Sequence, residues 1–226
     1  MARAACRSRL RGKKGALETL YTHPPADSVV VCIDELGPMT AVTHPGSELI
    51  QPHPGPGQPA GRARQEREYQ PRTTQGSVFG ALQPTTGETL TMTCERRTIA
   101  NFVDFLERVE AWVSRDVGRI YAVLDNLSVH SAYDVLLFNL TRSRWEFVFQ
   151  PKRAPYLNLI EPWWKTLKSL ALKGRRFETW LEVETAIERA TTYWNDHRHP
   201  YIWGRRRRHR MPRRFGIAVT PDIAAI

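Results

Sequence analysis

The order of its secondary-structure signals predicts an α/β protein, a mixed sheet with helices on its faces. Three observations carry that expectation. The runs Val29–Ile33 and Ile120–Leu124 are continuously apolar and rich in β-branched residues, as in strands buried on both sides. Stretches with apolar residues at helical spacing alternate with such runs. The chain of 226 residues is 41% hydrophobic and holds seven Trp, enough to fill one sizeable core.

Taken in order, the first strand is Val29–Ile33, ending in Asp34-Glu35 and then a Gly37-Pro38 turn. Residues 44–61 contain nine Pro or Gly in 18, so 44–75 reads as an irregular loop or insertion. Ser77–Gln83 and Thr89–Cys94 flank Pro84-Thr85-Thr86-Gly87-Glu88, which predicts a hairpin. Thr98 caps a helix whose apolar positions are Ile99, Phe102, Val103, Leu106, Val109 and Val113. Ile120–Leu124 is the next strand and again ends in an acid, Asp125. Ser131 opens a helix to about Leu140, Trp145–Phe149 is a short strand, and Gln150–Pro155 is a turn. A helix follows from near Asn158 to Lys173, with Pro162 tolerated in its first turn, where amide groups lack intrahelical partners. The last helix, Thr179–Asn195, sets Trp180, Val183, Ile187, Ala190 and Trp194 on one stripe.

Charge divides the chain into three parts. The formal net charge is +10, from 33 Lys and Arg against 23 Asp and Glu. Residues 1–17 contribute +6 and residues 198–226 contribute +7, so the stretch between them sums to −3. The expected organisation is a basic N-terminal arm (1–27), a folded body (28–197) and an Arg-rich C-terminal arm (198–226). The basic ends favour a polyanionic partner, nucleic acid before membrane. No apolar run approaches the roughly 20 residues that cross a bilayer, and the start lacks a secretory apolar segment. Three scattered Cys (Cys6, Cys32, Cys94) fit neither a disulfide framework nor a zinc ribbon, and suggest a reducing cytoplasm.

In open α/β sheets, chemistry collects beyond the carboxyl ends of strands. Asp34 and Asp125 sit at two such ends, and Glu161 lies at a helix start. Converging carboxylates raise one another's pKa, and a hard cation resolves the repulsion. Two Mg²⁺ ions about 3.5–4 Å apart can clamp the attacking and leaving oxygens of a phosphoryl displacement. The alternative is that each acid merely caps a helix or pairs in a loop, and Glu35 competes with Asp34 for its role.

Three stretches of sequence sharpen this. Cys32-Ile33-Asp34-Glu35, Leu124-Asp125-Asn126-Leu127-Ser128-Val129-His130 and Ala154-Pro155-Tyr156-Leu157-Asn158-Leu159-Ile160-Glu161-Pro162-Trp163-Trp164 resemble, in order and spacing, the motifs of the DDE superfamily endonucleases. More narrowly they resemble transposases of bacterial insertion sequences related to mariner elements, over about Val29 to Trp203. The resemblance implies a ribonuclease-H-like fold and places catalytic, metal-binding carboxylates on Asp34, Asp125 and Glu161. It further implies Mg²⁺-dependent cleavage and strand transfer in DNA transposition, with two Mg²⁺ ions and Mn²⁺ as a substitute. The partners it implies are double-stranded transposon-end and target DNA and a second copy in a homodimer, and the setting is the bacterial cytoplasm at the nucleoid. Asn126, His130 and Asn158 match the same motifs and either support the site or simply cap and pack.

Complete members carry upstream helix-turn-helix modules, whereas some 28 residues precede the first strand here. The expectation is therefore a catalytic domain without that part. Its rivals are an inactive relic that only binds DNA and a general ribonuclease-H-like nuclease. Candidate DNA contacts are Lys152, Arg153, Lys165 and Lys168 around Glu161, and the run Arg205, Arg206, Arg207, Arg208. Trp163 and Trp164 are expected to be one core and one surface residue.

Overall fold

The computed structural model describes residues 14–42, 44, 75–127, 130, 132–151 and 154–203. Five strands form one sheet: β1 (Ser28–Thr40), β2 (Gln75–Leu82), β3 (Thr89–Cys94), β4 (Arg119–Leu124) and β5 (Trp145–Phe149). Their spatial order is β3-β2-β1-β4-β5. β2 runs antiparallel to both β1 and β3, while β1, β4 and β5 are mutually parallel. The helices are α1 (residues 14–22), α2 (Ile99–Trp112), α3 (Tyr133–Thr141), α4 (Ile160–Ala171) and α5 (Trp180–Asp196).

Alternation along the central strand divides the core in two. Val31 and Ile33 of β1 face α2 and α3 in a cluster with Phe79, Phe102, Phe105, Leu106 and Trp145. Val30 and Cys32 face the opposite way, into a cluster with Leu17 of α1, Trp163, Trp164 and Leu167 of α4, and Trp180, Val183 and Trp194 of α5. A strand covered on both faces has no solvent side, which is why β1 lacks alternation in its sequence.

Most expected elements are present. The hairpin forms as β2 and β3, Thr98 accepts from the Asn101 amide at the start of α2, and Thr179 accepts from Glu182 at the start of α5. The full Trp180–Trp194 stripe is buried. Four details differ. β1 does not stop at Asp34: its ladder with β2 continues to Thr40, across a register shift between Leu36 and Met39. α3 starts after Ala132 with no side-chain cap. α4 begins at Ile160, after a short 3₁₀ turn over Pro155–Leu157, so Pro162 sits within its first turn. Within the stretch read as an N-terminal arm, α1 packs on the core through Leu17, and Tyr21 stacks on Trp203 and donates to the Leu157 carbonyl at 2.8 Å.

Two glycines on β2 explain how α4 and α5 lie so close to the sheet. A Cβ on Gly80 would come within 2.3 Å of the Trp164 ring, and one on Gly76 within 2.0 Å of Trp180. Four residues apart on one face of the strand, they leave flat recesses for two indoles. Residues 1–13, 45–74 and 204–226 lie outside the described residues, and with them most of the 44–75 stretch expected to be an irregular loop.

Candidate active site

Asp34 and Asp125 reach the same level of the sheet by register. The last parallel pair between β1 and β4 is Cys32 with Val123, and two residues further on stand Asp34, still within β1, and Asp125, just past the end of β4. Glu161 enters from the first turn of α4. The two aspartates therefore lie toward one end of adjacent parallel strands, and Glu161 is near enough to Asp34 for its charge to act on it, although Asp34 lies within a longer strand and not at its terminus.

The two aspartates are held differently. Asp34 Oδ2 accepts from the indole Nε1 of Trp164 at 3.0 Å. Trp163 and Trp164 are both buried, at 0% and 3% exposure, which corrects the expectation of one surface tryptophan. The reason is the recess over Gly80, which is the cross-strand partner of Asp34 and admits the Trp164 ring beside it. Burial raises the Asp34 pKa to about 7; the Trp164 hydrogen bond opposes this, and the charges of Glu161 and Glu35 add to it.

Asp125 leaves β4 into a tight turn. Its Oδ1 accepts from the Leu127 amide at 3.0 Å and pairs with His130 Nδ1 at 2.9 Å. Burial works against the Asp125 charge, but the His130 and Leu127 contacts outweigh it and hold the carboxyl below its ordinary value. His130 is fully buried against the Phe102 ring, and its Nε2 meets Glu35 Oε1 at 2.9 Å. Burial disfavours the imidazolium, yet the contacts with Asp125 and Glu35 prevail and raise its pKa to about 9. Glu35 does not take the place of Asp34: its neighbour on the strand faces α4, whereas Glu35 turns to the α2 side.

The remaining motif residues are structural braces. Asn126 Nδ2 donates to the Gln150 carbonyl at 2.7 Å, tying the end of β4 to the end of β5. Buried Asn158 donates from Nδ2 to the Ile33 carbonyl at 3.0 Å, which fixes the entry to α4 beside β1. Lys165 and Lys168 are exposed on α4, four and seven residues past Glu161. Lys152, Arg153 and Arg205–Arg208 lie outside the described residues. Sequence reasoning overlooked Trp164 as the holder of Asp34 and Glu35 as the partner of His130. The period-two alternation of a strand, which puts consecutive acids on opposite faces, is the signal that separates Glu35 from Asp34.

These residues share a fold and a pattern with known proteins. The family model of the DDE superfamily endonucleases matches residues 29–184, more than half of the chain. The chain belongs to this family. Among solved structures it is similar to the Mos1 transposase paired-end complex with left transposon end, with a TM-score of 0.62 at 17% identity over 85% of this chain and 55% of that one. A pre-cleavage Mos1 transpososome gives 0.58 at 16%, covering 83% and 60%. The catalytic domain of Mos1 mariner transposase gives 0.53 at 13%, covering 83% and 87%. At such identities the likeness shows the fold, and that fold is the ribonuclease-H-like one. The chain spans little more than half of the Mos1 chains in the DNA complexes and most of the isolated catalytic domain. No curated protein sequence matches it.

The donor chemistry suits a hard divalent cation. Carboxylate oxygens are the ligands such ions prefer, and Asp34 already carries the repulsion of Glu161 and Glu35 that a cation would relieve. Among the described residues, no three His, Cys, Asp or Glu side chains stand close enough together to hold one ion. Asp34 and Asp125 on the sheet and Glu161 on α4 thus offer donors from separate elements, not a closed cage. No helix among the described residues is long and apolar enough to cross a membrane.

Proposed function

We propose that this DDE superfamily endonuclease is the catalytic domain of a DNA transposase, cutting and joining phosphodiester bonds with divalent metal ions. The observation that carries the reading is the level placement of Asp34 and Asp125 on adjacent parallel strands, with the Glu161 helix docked to Asp34 through Trp164. Asp34, Asp125 and Glu161 would hold Mg²⁺, with Mn²⁺ as a substitute. When bound, such ions polarise the phosphate and stabilise charge on the attacking and leaving oxygens.

The chain's own groups prepare the site. Trp164, itself buried, fixes one oxygen of Asp34 from the α4 side. The Leu127 amide and His130 fix Oδ1 of Asp125, while Oδ2 takes no hydrogen bond among the described residues. Exposed Lys165 and Lys168 offer cations for a DNA backbone approaching past Glu161. The partners proposed are transposon-end and target DNA, with a second copy to pair two ends. The setting proposed is a bacterial cytoplasm.

The test is incubation of the full chain with supercoiled donor DNA and a labelled target duplex, with Mg²⁺ or EDTA, with and without a supplied helix-turn-helix partner. Mg²⁺-dependent nicking with joined product supports the transposase reading. Nicking that never joins would reduce it to a general nuclease. DNA binding with no cleavage in any condition would leave only a binding relic.

A further inference from the structure

His130 and Glu35 form a buried pair directly behind one carboxylate of the proposed site. Glu35 side-chain exposure is 3% and that of His130 is 0%, so neither side chain can meet DNA or solvent. Both imidazole nitrogens are occupied: Nε2 faces Glu35 Oε1 at 2.9 Å and Nδ1 faces Asp125 Oδ1 at 2.9 Å. The ring itself is clamped by Phe102, with centroids 4.6 Å apart. A buried carboxylate without a partner is costly, so a sequence that only needed packing here would carry an apolar residue at position 35.

The connection crosses the sheet. Glu35 belongs to β1, His130 to the turn after β4, and Asp125 to the end of β4. The Leu127 amide takes the same Asp125 oxygen as His130, so Oδ1 is committed to the protein. Its rotation is thereby set by two donors, one of which is itself held in place from another strand. We infer that Glu35, through His130, is a positioning residue that holds Asp125 with Oδ1 turned inward and Oδ2 presented to a divalent ion. The arrangement follows the general logic by which a ligand is oriented by the groups behind it. It rests on the reading of Asp125 as an ion ligand, but its geometric half does not.

The experiment therefore has two readouts on the full chain. The first is Mn²⁺ alone, followed by electron paramagnetic resonance. Glu35→Gln should weaken Mn²⁺ binding about tenfold, and should add nothing in an Asp125→Asn background, because the effect passes through Asp125. Glu35→Asp, which keeps the charge but withdraws it by one methylene, should give a smaller loss of the same sign. The second readout needs no metal: the ¹³Cγ resonance of Asp125 should be single in the parent protein and shifted or exchange-broadened in Glu35→Gln, with the Asp34 resonance far less changed. Unchanged Mn²⁺ affinity in a folded Glu35→Gln protein, or an equal loss in the Asp125→Asn background, would overturn the inference. An Asp125 resonance indifferent to Glu35→Gln would overturn it as well. A parent protein that binds no Mn²⁺ refutes the metal site instead, and the carboxyl resonance then decides the positioning role alone.

Discussion

Asp34 and Asp125 stand level on neighbouring strands, yet their surroundings push them in opposite directions. On the α4 side, Asp34 sits beneath an indole, and burial with two nearby acids raises its pKa to about 7. On the other side, Asp125 is tied to His130, and the imidazole with the Leu127 amide keeps it below its ordinary value. One carboxylate is poorly stabilised as an anion and the other well stabilised. A site that needs an external cation gains from the first, because the ion relieves a strain that the protein itself leaves in place. On the proposed reading it gains from the second because a carboxylate already held as an anion and oriented needs less preparation to meet a cation.

The comparison breaks most visibly at Asp125. Asp125→Asn should abolish divalent-dependent nicking, a loss of about a thousandfold or more, since metal stabilisation is worth several kcal/mol. A gel assay of nicked plasmid checks this. On the Asp34 side, Trp164→Phe removes the indole donor but keeps an apolar cover. Asp34 should then become still harder to ionise, and the pH profile for Mg²⁺-dependent nicking should move to the alkaline side, with about tenfold less activity at pH 7. Gly80→Ala attacks the same side through packing: the added methyl meets the Trp164 ring, and unfolding by urea should show a loss of about 1–3 kcal/mol.

A subtler test uses the metal-free protein. The folded pKa of Asp34, about 7, lies above its ordinary value of 3.8. Between those values the folded state holds a proton that the unfolded state has released, so Asp34 costs stability as pH rises through this window. Asp34→Asn should raise the Tm by a few degrees at pH 8 and change it little at pH 4. His130 adds a second slope: its folded pKa is raised to about 9 from 6.5, so its contribution is complete below 6.5 and lost as pH climbs through 9. The smallest effect belongs to the surface. Lys165→Ala and Lys168→Ala should each reduce the salt slope of DNA binding by about one, measured by fluorescence anisotropy.

The two aspartates were legible in the sequence as candidates, but the contrast between them depended on packing. Two apolar runs each ending in an acid raised Asp34 and Asp125 as candidates, and the likeness of the three motifs singled them out together with Glu161. The mixed sheet with helices on its faces followed from the alternation of strands and helices, whereas the strand order came from the structure. What spacing could not supply was direction. Asp34 and Glu35 are adjacent in sequence, and only the continuation of β1 through Thr40 shows that they face different cores. Trp163 and Trp164 look alike as a pair, and only the recess over Gly80 shows why the second reaches Asp34. His130 read more readily as packing than as support, because its two partners, Glu35 and Asp125, come from separate parts of the chain.

The most direct measurement is a ¹³C carboxyl titration of Asp34 and Asp125 in the full chain, without metal and then with Mg²⁺. The metal-free protein should show Asp34 titrating near 7 and Asp125 below 3.8, and Mg²⁺ should draw the Asp34 midpoint down by at least about one unit as the ion competes with the proton. Two aspartates titrating together near 4, with midpoints indifferent to Mg²⁺, would contradict the account of an oppositely tuned, ion-binding pair.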